Sequence, residues 1–358
     1  MAMTISDIAK LAGVSRATVS GVLNDSPFVS KTTKKRILEI IEKHNYKPNE
    51  IARALTLKQT GILGLIVKDI SNPLFSKIAL GVEDVCSQNA YSVIIANSQQ
   101  NWELEVSKVN LLKRRRVDGL IIFPIQKGVD LGHIWDLKKE NYPFTLLAQI
   151  PGMDVDLVTV DDEQGAFCAT EHLIKLGRKC IVHVAGPESS LATDRRVRGY
   201  QKALIANEQV PKDALVWPGG WSLEDGYRAG KEILAKMSRP PDGALCFSDQ
   251  IAVGFIRAMI EEGIRVPEDI SVVGFDDSGV SQYLETSLTT VAQPALEMGR
   301  KAAELLIQRL VQKKEKKDEP MPPQKIILPT ELVIRETCGA NPKGKIKLTN
   351  PFIVKEHN

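Results

Sequence analysis

The first 24 residues alternate apolar and polar positions in the pattern of two short helices joined by a tight turn. Apolar residues recur at helical spacing in each half: Ile5, Ile8, Ala9 and Ala12, then Val19, Val22 and Leu23. Gly13 suits the left-handed position that ends a helix, and Ser15 can cap the next helix. This arrangement is typical of the helix-turn-helix, whose second helix enters the major groove of DNA. It predicts Arg16, Ala17 and Gly21 as outward positions of that second helix.

A third helix is predicted after Ser30, which can act as its cap. Its apolar stripe again follows helical spacing: Ile37, Ile40 and Ile41. Three helices on one small core would complete a headpiece over residues 1–47. Pro48 then favours an extended break, and Asn49 can cap one more short helix. We interpret residues 48–60 as a hinge helix followed by a polar linker.

From Ile62 onwards, strongly apolar strands alternate with amphipathic helices. Strands are predicted at 62–67, 91–96, 117–122, 144–147, 180–185, 243–247, 270–275 and 325–328. Helices are predicted at 75–86, 102–115, 196–207, 223–236, 250–262 and 295–312. Because repeated β–α units form parallel sheets with right-handed crossovers, two such series predict two doubly wound lobes with a cleft between them.

The fold class is therefore an all-α headpiece followed by an α/β body over residues 61–338. We assign about 61–160 and 295–325 to the first lobe, and about 163–290 and 326–338 to the second. The charged run at 313–319 is interpreted as a solvated loop, and 339–358 as a flexible tail.

Charge is concentrated at the start of the chain. Residues 1–60 contain ten Lys or Arg against five acidic residues, which leaves the remaining 298 residues at about −2 of the total +3. A basic end domain on a near-neutral body is typical of a protein that binds nucleic acid. A three-helix protein-interaction module is the alternative. The chain shows neither a signal-peptide pattern nor a membrane-length apolar run, so we expect a cytoplasmic, nucleoid-associated protein without membrane contact.

Motifs for catalysis or metal binding are absent from the sequence. The five cysteines form no CxxC pair, the five histidines have no metal-like spacing, and there is no GxSxG, P-loop or HExxH motif. Asp161 and Asp162 could form a metal or acid/base pair, but hydrogen bonding at a strand end is the favoured interpretation. We therefore expect no enzymatic activity, no metal and no cofactor.

Several segments together resemble the lactose-repressor/galactose-repressor family of bacterial transcription regulators, from Thr4 to Glu336. The resemblance is carried by the opening helix-turn-helix, Ala52-Arg53-Ala54-Leu55, Gly64 to Pro73, Gly199-Tyr200, Val273 to Asp277, and Leu328 to Arg335. The body of this family is similar to periplasmic sugar-binding proteins, which agrees with the two lobes predicted above.

The resemblance implies how the headpiece would contact DNA. The family residues matching Arg16, Ala17 and Gly21 touch base edges, and an arginine can donate two hydrogen bonds to guanine. Gly21 departs from the family, which usually has a larger side chain there. Either the base at this position is no longer read by a side chain, or the missing side chain lets the helix backbone approach the floor of the groove. Phosphate contacts are expected from Ser6, Ser15, Thr18, Ser20, Asn24, Lys31, Thr32 and Tyr46. In the hinge helix, which includes Asn49, Ala52 and Arg53, the residue matching Leu55 wedges into the minor groove.

The same resemblance implies an effector site in the cleft. The expected binding residues are Phe75, Arg196, Trp221, Ser248, Asp276, Asp69 and Gln293. Asp276 directly follows a strand, where open α/β sheets bind ligands, and together with Arg196 it suits a polyhydroxylated molecule. For Phe75, core packing is nearly as favoured as a cleft wall. Lys68, unusual at its position, could point to the cleft mouth or to a dimer face.

These features predict a homodimeric repressor that binds a near-palindromic operator and responds to a small molecule between its lobes. A sugar is the expected ligand, with a purine or another small metabolite as the alternative. Control by a protein corepressor remains a second possibility. A sugar-binding transport protein is disfavoured by the basic headpiece.

Overall fold

The computed structural model describes residues 3–23, 26–46, 59–209, 215–315, 321–340 and the backbone of 344–347. The chain divides into two compact units, Met1–Gly61 and Ile62–Asn358. Five of the predicted site residues lie outside the described residues: Asn24, Asn49, Ala52, Arg53 and Leu55.

The first unit contains three helices, α1 (Ile5–Ala12), α2 (Arg16–Leu23) and α3 (Lys31–Lys43). Gly13 ends α1 with φ +60°, in the left-handed region that the sequence predicted. The hydroxyl of Ser15 accepts a hydrogen bond from the Thr18 N–H at 3.1 Å, and Ser30 caps α3 through the Thr33 N–H. The small core consists of Ile8, Ala9, Ala12, Val19, Val22 and Ile37. Local capping and apolar spacing therefore predicted these helices correctly.

The second unit begins with a lobe built on a six-stranded, wholly parallel sheet. Its elements are β1 (Ile62–Val67), α4 (Pro73–Gln88), β2 (Ser92–Asn97), α5 (Trp102–Arg114), β3 (Gly119–Ile122), α6 (Gly132–Lys139), β4 (Phe144–Leu146) and β5 (Leu157–Val160). The strand order is β11-β5-β4-β3-β1-β2, with β11 (Lys325–Leu328) returning from the end of the chain. Helix α11 (Ala295–Glu315) packs beside α4 on this sheet.

The second lobe is built on a seven-stranded sheet of order β13-β12-β10-β9-β8-β6-β7. Its elements are α7 (Asp162–Lys175), β6 (Ile181–Val184), α8 (Leu191–Ala206), β7 (Val216–Trp217), α9 (Leu223–Lys236), β8 (Gly243–Cys246), α10 (Asp249–Glu261), β9 (Ser271–Asp276), β10 (Thr289–Ala292), β12 (Glu331–Ile334) and β13 (Gly344–Lys347). β12 runs antiparallel to both β10 and β13, while the other pairs are parallel. Helices α9 and α10 pack closely, because Gly254 has no side chain where a Cβ would lie 1.8 Å from the Leu223 carbonyl oxygen.

The structure corrects three boundaries of the sequence prediction. β11 pairs with β5 in the first sheet, so residues 326–328 belong to the first lobe and not the second. The helix predicted to end near 312 continues to Glu315, into the run interpreted as a loop. Within the predicted flexible tail, residues 344–347 form β13 against β12. Backbone pairing decides where β11 and β13 belong, and continued helical hydrogen bonding carries α11 into a polar run.

Candidate functional site

The surface of the headpiece presents the predicted DNA-reading residues. Arg16 and Ala17 begin α2 and are exposed. The described residues predicted to contact phosphate are all exposed or half-buried: Ser6, Ser15, Thr18, Ser20, Lys31, Thr32 and Tyr46. Lys31 and Thr32 begin α3, and backbone N–H groups at a helix start favour an anion. The headpiece therefore offers a donor-rich surface that includes the exposed guanidinium of Arg16.

Gly21 does not occupy the outward position that the sequence predicted. A Cβ at Gly21 would lie 3.3 Å from Cγ2 of Val29 and 3.5 Å from Cβ of Ser26, so this face of α2 packs on the following loop. The Gly21 carbonyl also accepts a hydrogen bond from the Ser26 N–H at 2.8 Å. Close packing of this loop, which periodicity within α2 cannot reveal, explains the half-buried glycine.

A cavity lies between the two lobes of the second unit and encloses about 650 Å³, counting solvent at its mouth. Its wall is formed where strands end. In the first lobe, Lys68 follows β1, Phe123 follows β3 and Leu147 follows β4. In the second lobe, Phe247 follows β8 and Asp276 ends β9. This is the position at which open α/β sheets bind ligands.

The guanidinium of Arg196 is a charged group of the cavity wall that donates three hydrogen bonds. Only 4% of the residue is exposed, and its Nε and Nη2 donate to Oδ1 of Asp162 at 2.9 and 2.8 Å. Its Nη1 donates to the Phe247 carbonyl, and the guanidinium lies 3.6 Å from the ring centre of Phe275. The arginine is therefore held in place by Asp162 at the wall of the cavity, which Asp276 also lines.

Asp276 contributes a buried carboxyl group with an unusual backbone. Its φ is +114°, a strained value for a residue with a side chain, and strain of this kind clusters at functional sites. The Nε2 of Gln293 donates to its Oδ1 at 2.6 Å. Burial raises the pKa of Asp276 to about 7, although nearby Arg196 opposes that rise. Near neutral pH the group can therefore act as either a hydrogen-bond donor or an acceptor.

The loop after Asp276 is held by a second buried carboxylate that does not line the cavity. Asp249 accepts hydrogen bonds from the Ser278 N–H at 2.7 Å and from the hydroxyls of Ser281 and Thr290 at 2.5 Å each. These three bonds fix the turn that places Asp276 at the cavity wall.

The predicted aromatic walls are both present in the cavity lining. Phe75 is buried and packs edge-to-face on Phe123, with ring centres 5.2 Å apart. Trp221 packs edge-to-face on Phe247 at 5.7 Å. Ser248 also lines the cavity, but its hydroxyl accepts from the Ile251 N–H and caps α10. The cavity therefore combines a few polar groups with aromatic surface.

Asp69 is the one described effector residue that the structure does not bring to the cavity. Its carboxylate instead accepts hydrogen bonds from the Ser71 N–H at 3.0 Å and the Ser71 hydroxyl at 2.7 Å. Its neighbour Lys68 enters the cavity, with 2% of its surface exposed. The bend that follows β1 therefore brings Lys68, and not Asp69, to the cavity.

Direct contacts join the two lobes beside the cavity. Nζ of Lys127 binds the carboxylate of Asp194 at 2.9 Å, and the Lys127 N–H donates to the Ser189 carbonyl at 3.1 Å. Nζ of Lys77 donates to the Asp277 carbonyl oxygen at 2.8 Å. These bonds bridge the two lobes in the arrangement described here.

Sequence reasoning did not assign Asp162, Phe123 or Phe247 to the site. Phe123 and Phe247 directly follow a strand and Asp162 is the second residue after β5, so applying the strand-end rule to every strand, and not only to β9, would have indicated this region. Asp162 had been interpreted as a strand-end hydrogen-bonding residue, and it does form such bonds, with Arg196 as partner.

Among the described residues, no helix is long and apolar enough to cross a membrane.

Comparison with known proteins relates both units to one family. The family described as "Bacterial regulatory proteins, lacI family" matches residues 4–49, and "Periplasmic binding protein-like domain" matches residues 170–338. Catabolite control protein A of Priestia megaterium is 35% identical over 308 residues, covering 86% of this chain and 92% of the relative.

Two solved structures extend this similarity. The lac repressor dimer bound to operator and the anti-inducer ONPF is 30% identical, with a TM-score of 0.81 over 95% of this chain and 100% of that chain. A LacI family transcriptional regulator from Enterococcus faecium with bound ribose is 31% identical, with a TM-score of 0.67 over 77% of this chain and 98% of that chain. The chain belongs to the LacI family of bacterial regulatory proteins.

Proposed function

We propose that the protein is a homodimeric repressor of transcription whose affinity for its operator is set by a small molecule, of the sugar class, bound between the lobes. The observation that carries this proposal is the combination, in one chain, of a basic helix-turn-helix headpiece with a cavity between two lobes that is lined by charged, polar and aromatic side chains. Because its target is chromosomal DNA, we place the protein in the bacterial cytoplasm.

DNA recognition would rest on the start of α2. Exposed Arg16 can contact guanine in the major groove, while Ala17 offers only an apolar contact, for example to a thymine methyl group. The N-terminal ends of α2 and α3 would bind phosphates, which positions the headpiece without reading sequence. Leu55 lies outside the described residues; by family resemblance we propose it as the minor-groove wedge, so Leu55→Ala should weaken operator binding and bending while leaving effector binding intact.

A sugar fits the chemistry of the cavity. Asp276 and Gln293 offer hydrogen-bond acceptors and donors for hydroxyl groups, and the rings of Phe75 and Trp221 can cover the apolar faces of a pyranose or furanose. The similar Enterococcus faecium regulator contains ribose, which supports a ligand of this class here.

A dimer is supported by apolar surface on the first lobe. Leu80 of α4 is 60% exposed, and Ile94 and Ile95 of the edge strand β2 are 40% and 48% exposed. An edge strand with exposed isoleucines is a ready surface for a second copy, and the similar lac repressor structure is a dimer. A two-fold dimer would bind two half-sites of a near-palindromic operator.

Control would act through the equilibrium between open and closed lobes. A ligand that bonds to Asp276 on one lobe and packs on Phe75 of the other stabilises the closed form. Coupling of this kind typically amounts to about 1–3 kcal/mol, a change in DNA affinity of roughly 5- to 150-fold.

The test begins with selection of binding sites from random duplex DNA by the full-length protein, which should yield a two-fold symmetric motif. Operator affinity is then measured by fluorescence anisotropy with a panel of sugars and nucleosides. We expect one sugar to change it at least about fivefold, and Asp276→Ala to abolish that response. The surface variant Asp136→Ala serves as the matched control. Selection of an asymmetric motif would contradict the dimer, and a panel without effect would contradict control by such ligands.

A further inference from the structure

Lys68 is the one cationic side chain of the cavity wall whose charge has no bonded partner among the residues that the structure describes. Its Nζ lies 4.9 Å from the ring centre of Phe123 and 5.3 Å from that of Trp221. Only 2% of the residue is exposed. Lysine is almost never this deeply buried without a partner, because removing an ammonium from water is costly.

The nearby carboxylates are already engaged elsewhere. Asp162 accepts two hydrogen bonds from Arg196. Glu105, which is fully buried, accepts from the Ile125 N–H at 2.9 Å and contacts Nε2 of His133 at 2.9 Å. Both carboxylates favour the charged form of Lys68 from a distance, yet neither bonds to it.

The remaining charges of the wall leave the cavity with an excess of cations. Three basic residues line it, Lys68, Arg195 and Arg196, against the acids Asp162 and Asp276. The Arg196 charge is balanced by Asp162, and burial raises the pKa of Asp276 to about 7, which reduces its negative charge near neutral pH. The cavity is thus complementary to a ligand that brings a negative charge of its own.

We infer that the effector is an anionic sugar derivative, carrying a carboxylate or a phosphate group, and that Lys68 binds this group inside the cavity. This inference rests on the proposed function, because it names the chemical class of the ligand for the same cavity. The three N–H donors of the ammonium would bond to the anion, and hydrogen bonds between two charged groups are about twice as strong as neutral ones.

The aromatic rings would assist in two ways. Phe123 and Trp221 stabilise the cation through their ring faces while the cavity is empty, and they exclude water when it is filled. Burial lowers the pKa of Lys68 to about 8, so the ammonium remains the major form at pH 7. An anion bound beside it would raise that pKa again.

The first test needs no ligand. Lys68→Met keeps an unbranched side chain only one atom shorter and removes a buried charge without a bonded partner, so the melting temperature of the ligand-free full-length protein should stay unchanged or rise. A clear fall, with normal stability for the exposed lysine variant Lys138→Met, would show that Lys68 is a structural residue and would overturn the inference.

The second test compares matched ligands by isothermal titration calorimetry. The probes are glucose, glucose 6-phosphate, gluconate, ribose, ribose 5-phosphate and inorganic phosphate. We expect an anionic member to bind wild type roughly 10- to 150-fold more tightly than its neutral parent. Lys68→Met should remove that preference, Lys68→Arg should retain most of it, and Lys138→Met should match wild type. The gluconate and phosphate arms identify which anion the site prefers.

The outcomes separate this inference from the proposed function. Neutral sugars that bind as tightly as their anionic forms and alter operator affinity would overturn the anionic ligand while leaving sugar control intact. Binding of inorganic phosphate that is unaffected by Lys68→Met would also overturn it. If none of the probes binds, both the anionic ligand and control by this ligand class are contradicted.

Discussion

The buried pair between Arg196 and Asp162 offers the sharpest test of how the cavity is held together. We consider Asp162→Asn, which preserves the shape of the side chain but removes its negative charge. The wild-type guanidinium is 5% exposed and the carboxylate 7% exposed, with their bonded atoms 2.8 and 2.9 Å apart. The variant therefore leaves an arginine charge buried without its counter-ion.

The expected loss follows from that burial. Removing one partner of a buried ion pair typically costs about 3–5 kcal/mol. Asparagine still offers one acceptor oxygen, and Arg196 retains its bond to the Phe247 carbonyl and its contact with the Phe275 ring. We therefore expect the lower end, about 3 kcal/mol of unfolding free energy. For a unit of this size that corresponds to a fall of about 6 °C in melting temperature.

The assay is thermal and urea denaturation of the full-length protein, followed by fluorescence and circular dichroism. Asp136→Asn is the matched control, because Asp136 forms an exposed pair with Lys139 at 3.6 Å. Exposed pairs contribute about 0–1 kcal/mol, so this control should change stability little. A double variant, Asp162→Asn with Arg196→Met, completes a mutant cycle and should recover about 1 kcal/mol or more relative to the sum of the single changes.

Two results would refute this reasoning. One is a loss of unfolding free energy below about 1 kcal/mol for Asp162→Asn, equal to that of the surface control. Such a small loss would mean that water or another group stabilises the arginine charge in place of Asp162. The other is strict additivity in the cycle, which would mean that the two side chains do not interact energetically despite their short distances.

Three further predictions concern single positions. Ser15→Ala removes the hydroxyl that accepts a hydrogen bond from the Thr18 N–H, so it should lower the unfolding free energy of the headpiece by about 1 kcal/mol and weaken operator binding. An unchanged unfolding free energy would mean that this cap does not stabilise the headpiece. Asp276→Asn removes a buried acid whose pKa is raised to about 7, and the fold favours its protonated form, so wild-type stability should fall as pH rises from about 4 through 7. In urea titrations the unfolding free energy of the variant relative to that of wild type should therefore rise between pH 5 and pH 8. A difference that does not change with pH would contradict this prediction. Gly254→Ala would place a Cβ 1.8 Å from the Leu223 carbonyl oxygen, so it should lower the unfolding free energy of the second unit by about 1–3 kcal/mol or more. A melting temperature near that of wild type would show that helices α9 and α10 can move apart at little cost.

Much of the secondary structure followed from local patterns. Strand β1 at Ile62–Val67, helix α9 at Leu223–Lys236 and strand β11 at Lys325–Leu328 have the bounds that apolar runs and periodicity predicted. Helix α6 at Gly132–Lys139 and strand β10 at Thr289–Ala292 were not predicted. They are short, and β10 is half threonine, so their formation depends on packing against neighbours more than on their own composition.

The effector site was predictable only in part. Asp276, Trp221 and Gln293 line the cavity as expected: the family resemblance indicated all three, and the end of a strand also indicated Asp276. Arg196 was also expected there, yet its partner Asp162 lies 34 positions away on another helix, and no local signal links the two.

The sequence by itself determined the helix-turn-helix, the two α/β lobes and the family, because caps, periodicity and strand-end residues act over short distances along the chain. Tertiary structure decided which of two neighbours, Lys68 or Asp69, enters the cavity, and which sheet β11 joins. It also turned the helix face of Gly21 towards Val29. These outcomes depend on strand register and on packing between segments distant in sequence, so they arise only when the whole chain is folded.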